Sequence, residues 1–282
     1  MTLNEVYLKG KDILAKAGNE NPAFDAMCIF NFCFKLNRQD IVLCRDNIAP
    51  AKKTSEYFLM IEQRKNARPL QYILGTWDFM GLKFKVGEGV LIPRDDTEVL
   101  INESLNLIKD MKKPRILDLC SGSGAVAISL AKNRPDASIL ALELSPAAIR
   151  YLKENITLNR TYNVSVLKGD VLKGPEQCNI EKVDLIVSNP PYIPTDDIDM
   201  LQLEVKNEPL MALDGGEDGL KFYNVIAKKW RSALKEEGYI CAEIGINQSS
   251  SVINIFKERG ANNIYTVKDI NKIDRVVTAK FF

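Results

Sequence analysis

The chain contains no histidine among its 282 residues. That absence removes Ser-His-Asp and Cys-His nucleophilic arrangements, imidazole general-base chemistry and His-ligated zinc. Any proton transfer must use another group, or the reaction must proceed without a strong base. The six cysteines, at 28, 33, 44, 120, 178 and 241, form no C-x-x-C pair. A zinc ribbon or thioredoxin-type motif is therefore unsupported, no metal is expected, and the cysteines read as buried reduced thiols. No apolar run approaches the ~20 residues that span a bilayer, and the N-terminus lacks the apolar stretch of a secretion signal. A soluble, cytoplasmic chain with no membrane partner is expected. An excess of one charge is also missing: 38 Lys+Arg oppose 37 Asp+Glu, a net of +1. Residues 1–90 hold 13 basic against 10 acidic side chains, too small an asymmetry to name a partner. A chain that follows a phosphate track is usually more basic, so no direct nucleic-acid partner is expected. There is no internal repeat or low-complexity tract.

What is present is 46% hydrophobic residues, enough for a sizeable core in two domains. Residues 1–70 read as a small helical bundle. Thr2 to Glu5 has capping-box spacing, and Leu3, Val6, Ile13, Leu14 and Ala17 recur at helical intervals before Gly18. Asn21-Pro22 opens a second helix that is apolar nearly all round, which predicts a buried helix. A third runs from Pro50 to about Lys65. Residues 71–94 form a linking module: a short extended piece at 71–75, then a β-hairpin of Thr76–Phe79 and Leu82–Val86 around Met80-Gly81. Residues 95–282 alternate helix and strand, with strands at 115–119, 138–143, 164–168, 183–188, 238–244, 262–267 and 275–281. That order implies βαβ units and an α/β, doubly wound, mostly parallel sheet.

Two loops carry chemistry. In the first, Asp118-Leu-Cys120-Ser121-Gly122-Ser123-Gly124 leads from a strand into a helix. Gly122 and Gly124 permit a tight turn and close ligand approach, and the helix start offers free N–H groups. Glu143, about 20 residues on, suits ribose hydroxyls. Gly122-x-Gly124-x-x-Ala127 also satisfies the dinucleotide fingerprint. Asp118, however, would repel a pyrophosphate and suits a cationic ammonium, so a zwitterionic nucleoside fits better than a dinucleotide. Asp170 could accept from an adenine amino group, with Val171 against the ring. In the second loop, a buried strand ends in Asn189-Pro190-Pro191-Tyr192. The prolines stiffen the loop and leave its carbonyls free. The Asn189 side chain and the Pro190 carbonyl can accept the two N–H bonds of a planar –NH₂, and Tyr192 offers an aromatic face. Such a grip suits methylation of an amide or exocyclic amine, with positioning in place of a strong base.

These residues resemble the PrmC (HemK) family, the N5-glutamine methyltransferases of peptide chain release factors. Arg68-Pro-Leu-Gln-Tyr-Ile-Leu-Gly75, Val90-Leu-Ile-Pro-Arg94, Glu208-Pro209, Ala212-Leu-Asp-Gly-Gly-Glu-Asp-Gly-Leu220, Glu243-Ile-Gly245 with Gln248, and Asp274-Arg-Val-Val277 carry the resemblance, which spans nearly the whole chain. It implies a Rossmann-like class I methyltransferase domain with a seven-stranded, mostly parallel sheet, and S-adenosylmethionine as donor. It also implies a glutamine of the Gly-Gly-Gln motif in class I release factors as substrate, and an N-terminal domain that docks that partner. Cys120 to Gly124 would line the methionine and ribose, Glu143 would hold the ribose and Val171 would lie by the adenine. Asn189 to Tyr192 would hold the glutamine amide. A monomer is expected. The chain departs from the family pattern at Cys120-Ser121 (usually Gly-Thr), Glu143 (usually Asp) and Asp95 (usually Pro). The rival readings are a nucleic-acid amino methyltransferase, which the near-neutral charge disfavours, and a non-catalytic binding module, which the intact Asn189–Tyr192 loop disfavours.

Overall fold

The computed structural model describes residues 1–281, in two compact units. The first comprises Met1–Gly75 with Gln202–Asn207, and the second Thr76–Leu201 with Glu208–Phe282.

In the first unit, helix α1 (Leu3–Lys16) begins with the expected capping box: the Thr2 hydroxyl accepts from Glu5 N and the Glu5 carboxylate from Thr2 N. Helices α2 (Pro22–Phe34) and α4 (Ala51–Lys65) pack against it around Val6, Leu14, Ile29, Phe30, Tyr57 and Ile61. Gly10 on α1 permits this closeness, since a Cβ there would meet the Tyr57 hydroxyl at 2.0 Å. Helix α2 is not buried all round. Phe24 and Phe32 face outward at 56% and 42% exposure, because a bundle of this size cannot enclose a helix on every side. Two further differences from the sequence expectation are local. A short helix α3 (Arg38–Leu43) is present, capped by the Asn37 side chain on Gln39 N and Asp40 N. Residues 71–75, expected to be extended, form helix α5 (Leu70–Leu74), started by the Pro69 carbonyl and ended by Gly75 at φ 72°. The distant segment 202–207 joins this unit through Arg64, a buried side chain that pairs with both Asp25 and Glu204. The Asn207 amide adds a bond to the Ala67 carbonyl.

The second unit begins with the hairpin β1 (Thr76–Phe79) and β2 (Leu82–Lys85), turned at Met80 and Gly81, both at positive φ. Strands β3 (Arg115–Leu119), β4 (Ser138–Glu143), β5 (Val164–Lys168), β6 (Val183–Ser188), β7 (Leu234–Glu243), β8 (Ala261–Lys268) and β9 (Asp274–Phe281) form one seven-stranded sheet in the order β5-β4-β3-β6-β7-β9-β8. β3 to β7 pair in parallel, and β9 runs antiparallel to both its neighbours. Successive strand residues point to opposite faces, which divides the core in two. Ile116, Ile139, Ala141, Leu185 and Val187 pack under helices α6 (Thr97–Leu107), α7 (Ala125–Asn133) and α8 (Pro146–Asn159). Leu117, Leu119, Leu142, Ile186 and Ile240 pack under the helices Lys221–Lys229 and Ser249–Glu258. Apolar strands buried on both faces are what a parallel sheet requires. The hairpin is held to α8 by two buried amides one turn apart. Asn155 bonds both the N–H and the carbonyl of Lys85, and Asn159 bonds the Lys83 carbonyl. Among the described residues no helix is long and apolar enough to cross a membrane.

The strand order reverses between β3 and β6, whose carboxyl ends lie side by side. Open α/β sheets bind ligands in the crevice at such a switch point.

Candidate active site

The loop after β3 is built from left-handed backbone: Cys120, Gly122 and Gly124 stand at φ 61°, 55° and 85°. Gly124 is needed for space as well, since a Cβ would meet Leu152 Cδ1 at 2.3 Å. At Gly122 nothing lies within 4 Å of that position, so its backbone is open to a ligand. The Ser121 hydroxyl donates to the Asp118 carbonyl at 2.9 Å and closes the turn. Ser123 is buried, and its carbonyl accepts from the Asn155 amide at 3.0 Å. The same amide therefore ties the hairpin to the loop.

Glu143 ends β4 and is the centre of this end of the sheet. It is 8% exposed. One carboxylate oxygen accepts from Gly122 N, the other from Leu144 N and Ser145 N, each at 2.8 Å. Three N–H donors fill three of the roughly four acceptor positions of an ionised carboxylate. Asp118 stands lower on β3 and is fully buried, with neither carboxylate oxygen bonded among the described residues. Burial pushes it up to about 7. Burial, with the Glu143 and Asp118 carboxylates nearby, also pushes the Cys120 thiol well up, so it is held as a neutral thiol. The turn after β5 is pinned by Asp170 Oδ1, which accepts from Leu172 N at 2.9 Å, and by the Trp230 indole, which donates to the Val171 carbonyl at 2.7 Å.

The loop after β6 is clasped from several sides. The Ser188 hydroxyl bonds the Leu119 carbonyl at 2.8 Å, fixing this strand end to β3. Asn189 Nδ2 donates to Thr97 Oγ1 at 3.1 Å, which leaves Oδ1 as the acceptor of that amide. Tyr192 O accepts from Gln248 Nε2 at 2.8 Å, and Gln248 Oε1 accepts from Gly245 N at 2.9 Å. Residues 213–216 run alongside in one isolated parallel bridge, Ile193 with Asp214: Ile193 N bonds Leu213 O, and Gly215 N bonds Ile193 O. This approach depends on Gly219, where a Cβ would meet the Tyr192 carbonyl oxygen at 2.3 Å.

These loops border a cavity of about 400 Å³, within the usual range for small-molecule sites. Cys120, Gly122, Glu143, Asp170, Val171, Asn189 and Pro191 all line it. Of the other residues singled out in the sequence, Asp118, Ser121, Ser123, Gly124, Pro190 and Tyr192 fall outside the cavity wall. The Tyr192 ring packs towards Gly245 and the core on the β7 side. Burial pushes its hydroxyl up. Further segments line the cavity that the chemistry of the sequence did not assign to it, among them 89–91 and 209–212. A buried Glu208 brings them together, accepting from Ile92 N at 2.9 Å and pairing with Arg94. The only signal for them in the sequence is that both belong to the resembling motifs.

Residues 5–75 match the PrmC N-terminal domain family, and residues 96–205 match the methyltransferase small domain family. The release factor glutamine methyltransferase of Clostridium acetobutylicum is 38% identical over 281 residues, 99% of this chain and 98% of that one. The protein of the same name from Fusobacterium nucleatum is 38% identical over 278 residues, 98% of this chain and 78% of that one. Among solved structures, the hMettl16 catalytic domain in complex with MAT2A 3'UTR hairpin 6 superposes with a TM-score of 0.59 at 14% identity, covering 82% of each chain. That likeness concerns the fold alone.

Proposed function

The chain belongs to the release factor glutamine methyltransferase family, and on that premise we propose that it methylates the side-chain amide nitrogen, N5, of the glutamine in the Gly-Gly-Gln motif of class I peptide chain release factors. It is an S-adenosylmethionine-dependent methyltransferase. The observation that carries the finer reading is that Gly122, Glu143 and Asn189, from three strand ends, line one cavity.

The cavity residues fit the donor. The backbone at Gly122 is open to close approach, and Glu143 and Asp170 match hydroxyl, amino and cationic groups better than phosphates. When bound, S-adenosylmethionine supplies an activated methyl group on a sulfonium. Glu143 would hold ribose hydroxyls through its remaining acceptor capacity, and Asp170 and Val171 would meet the adenine. Cys120 and Gly122 would border the methionine side, with Ser121, Ser123 and Gly124 shaping the loop. Asp118 is fully buried and stands outside the cavity wall, its carboxyl pushed up to about 7 by burial, so it shapes the strand end and does not hold the donor.

On the substrate side, Asn189 Oδ1 and the Pro190 carbonyl accept the two N–H bonds of the glutamine amide, and Pro191 and Tyr192 keep the loop rigid. This grip turns the nitrogen lone pair towards the cavity. The two acceptors strengthen their hold as positive charge grows on nitrogen, so no strong base is required before the new bond forms. The first unit supplies further surface for docking the release factor, a partner of cytoplasmic translation. Incubating the chain with purified release factor and S-adenosylmethionine tests this reading. Mass spectrometry should find one added methyl on the Gly-Gly-Gln glutamine, and an unmodified glutamine would refute it.

A further inference from the structure

The turn Leu210–Ala212 lines the cavity without being rooted in the core. None of its three side chains is buried, and Leu210 and Met211 are 58% and 49% exposed. Segment 89–92, which also borders the cavity, is different. Val90 and Ile92 are each 1% exposed, and Val90 belongs to the core under α6 to α8. Leu91, between them, lines the cavity. Gly89, at φ 91°, sets the segment against the first turn of α8, where a Cβ would meet Ala147 Cβ at 2.8 Å. Burial holds this segment, but the turn has too few buried contacts to be held in the same way.

The turn is held instead by tethers at its two ends. Downstream, Leu213 O accepts from Ile193 N, and Gly215 N donates to Ile193 O. Asp214 Oδ1 accepts from Thr195 Oγ1 at 2.7 Å. These bonds tie the turn to the loop after β6, directly past Tyr192. Upstream, Glu208 reaches the rooted segment: Oε2 accepts from Ile92 N at 2.9 Å, and Oε1 pairs with Arg94. Pro209, its φ fixed by the ring, is the single stiff residue between Glu208 and the turn. Glu208 is 5% exposed, and burial pushes its carboxyl up against the pull of Arg94. A buried ion pair is a weak source of stability, since apolar side chains of similar volume often do as well. What this pair supplies is a defined place for the turn.

We propose that Glu208 is a positioning residue which, through Ile92 and Arg94, fastens the turn 209–212 as a wall of the donor cavity before the donor arrives. This rests on the donor-site reading above. Without the tether the turn is in place only part of the time, and donor binding must order it. The apparent affinity then falls by the fraction of molecules whose wall is already formed.

The test uses the full chain and the variants E208A, E208Q, R94A, R94K and E208A/R94A. In titration calorimetry with S-adenosylmethionine, E208A should raise Kd about tenfold, as for a wall formed in roughly a tenth of the molecules. E208Q is isosteric and can still accept from Ile92 N, so it should lose less, and it carries the comparison should E208A not fold. R94K, which keeps the charge, should recover most of the R94A loss. The double variant should bind no worse than E208A, because Arg94 acts through Glu208. The methylation kcat at saturating donor should fall less than Kd rises, since bound donor reorders the wall. Hydrogen exchange read by mass spectrometry needs no methyl acceptor. Without donor, the amides of 210–214 should exchange faster in E208A than in wild type, while those of β3 to β6 stay unchanged. Saturating donor should narrow the difference. Unchanged exchange at 210–214, or multiplied losses in the double variant, would overturn the proposal. So would a lowered melting temperature with wild-type Kd, which would leave Glu208 a purely structural role. If wild type binds no S-adenosylmethionine while the turn loosens in E208A as described, the donor reading fails and the tether stands.

Discussion

Replacing Glu143 with alanine tests the loop architecture and the donor site together. In the structure its carboxylate accepts three backbone N–H bonds at 2.8 Å, from Gly122, Leu144 and Ser145. Hydrogen bonds to a charged partner contribute about 1.5–3 kcal/mol each when buried. The carboxylate lines the cavity, so water can replace part of the loss, and a net cost of about 2–4 kcal/mol is expected. For a domain of this size one kcal/mol moves the melting temperature by about 2–4 °C. Glu143→Ala should therefore melt roughly 5–15 °C below wild type. Donor binding should weaken as well. Ribose hydroxyls lose a charged acceptor worth about 1.5–3 kcal/mol, or roughly 10–150-fold in Kd. Scanning calorimetry gives the first quantity and titration calorimetry with S-adenosylmethionine the second. A variant that melts and binds like wild type would refute the whole argument. A lowered melting temperature with unchanged Kd would confine Glu143 to holding the loop.

Four other outcomes are expected. Asn189→Ala should melt near wild type and still bind donor, but lose about 10²–10³ in methylation rate; wild-type turnover would exclude the amide grip. Asp118→Asn should raise the melting temperature at pH 8 by more than at pH 4. The buried carboxyl titrates at about 7 in the fold against an ordinary 3.8, so the folded state holds its proton more tightly and wild-type stability falls as pH rises between those values. A pH-independent difference in melting temperature would contradict this. Cys120→Gly removes a side chain from left-handed backbone at φ 61° and should raise the melting temperature by a few degrees, for about 1 kcal/mol of relieved strain; a lower value would mean the thiol contributes more by packing than it costs. Gly219→Ala would push a Cβ into the Tyr192 carbonyl, so methylation should fall further than donor affinity, as parallel rate and binding assays would show.

Much of the fold was legible in the residues. Binary patterning is local, and the strands from 115 to 188 follow from runs of apolar residues broken by Gly, Pro and Asn. The capping box at Thr2 and the hairpin turn at Met80-Gly81 are local as well, and both are present in the structure. The helix Leu70–Leu74 was missed because five residues carry too little periodicity to separate helix from extension. The outward faces of Phe24 and Phe32 were missed because hydrophobicity does not reveal how many neighbours a helix will have.

The site divides along the same line. The glycine loop, Glu143 and the Asn189–Tyr192 loop are short segments whose chemistry depends on residue type and spacing, so they could be singled out from the residues alone, and Cys120, Gly122, Glu143 and Asn189 do line one cavity. The sequence could not decide which of their residues reach the cavity. Asp118 and Asn189 both stand at or near strand ends, yet one lies outside the cavity wall and the other in it. The sequence was equally silent on contacts between distant segments: Glu208 on Ile92, Gln248 on Tyr192, and Asn189 on Thr97. The strand order β5-β4-β3-β6-β7-β9-β8 brings these together. Residue type and spacing state which bonds a side chain can make; folding, by bringing partners 56 to 116 positions apart within about 3 Å of one another, decides which bonds it does make.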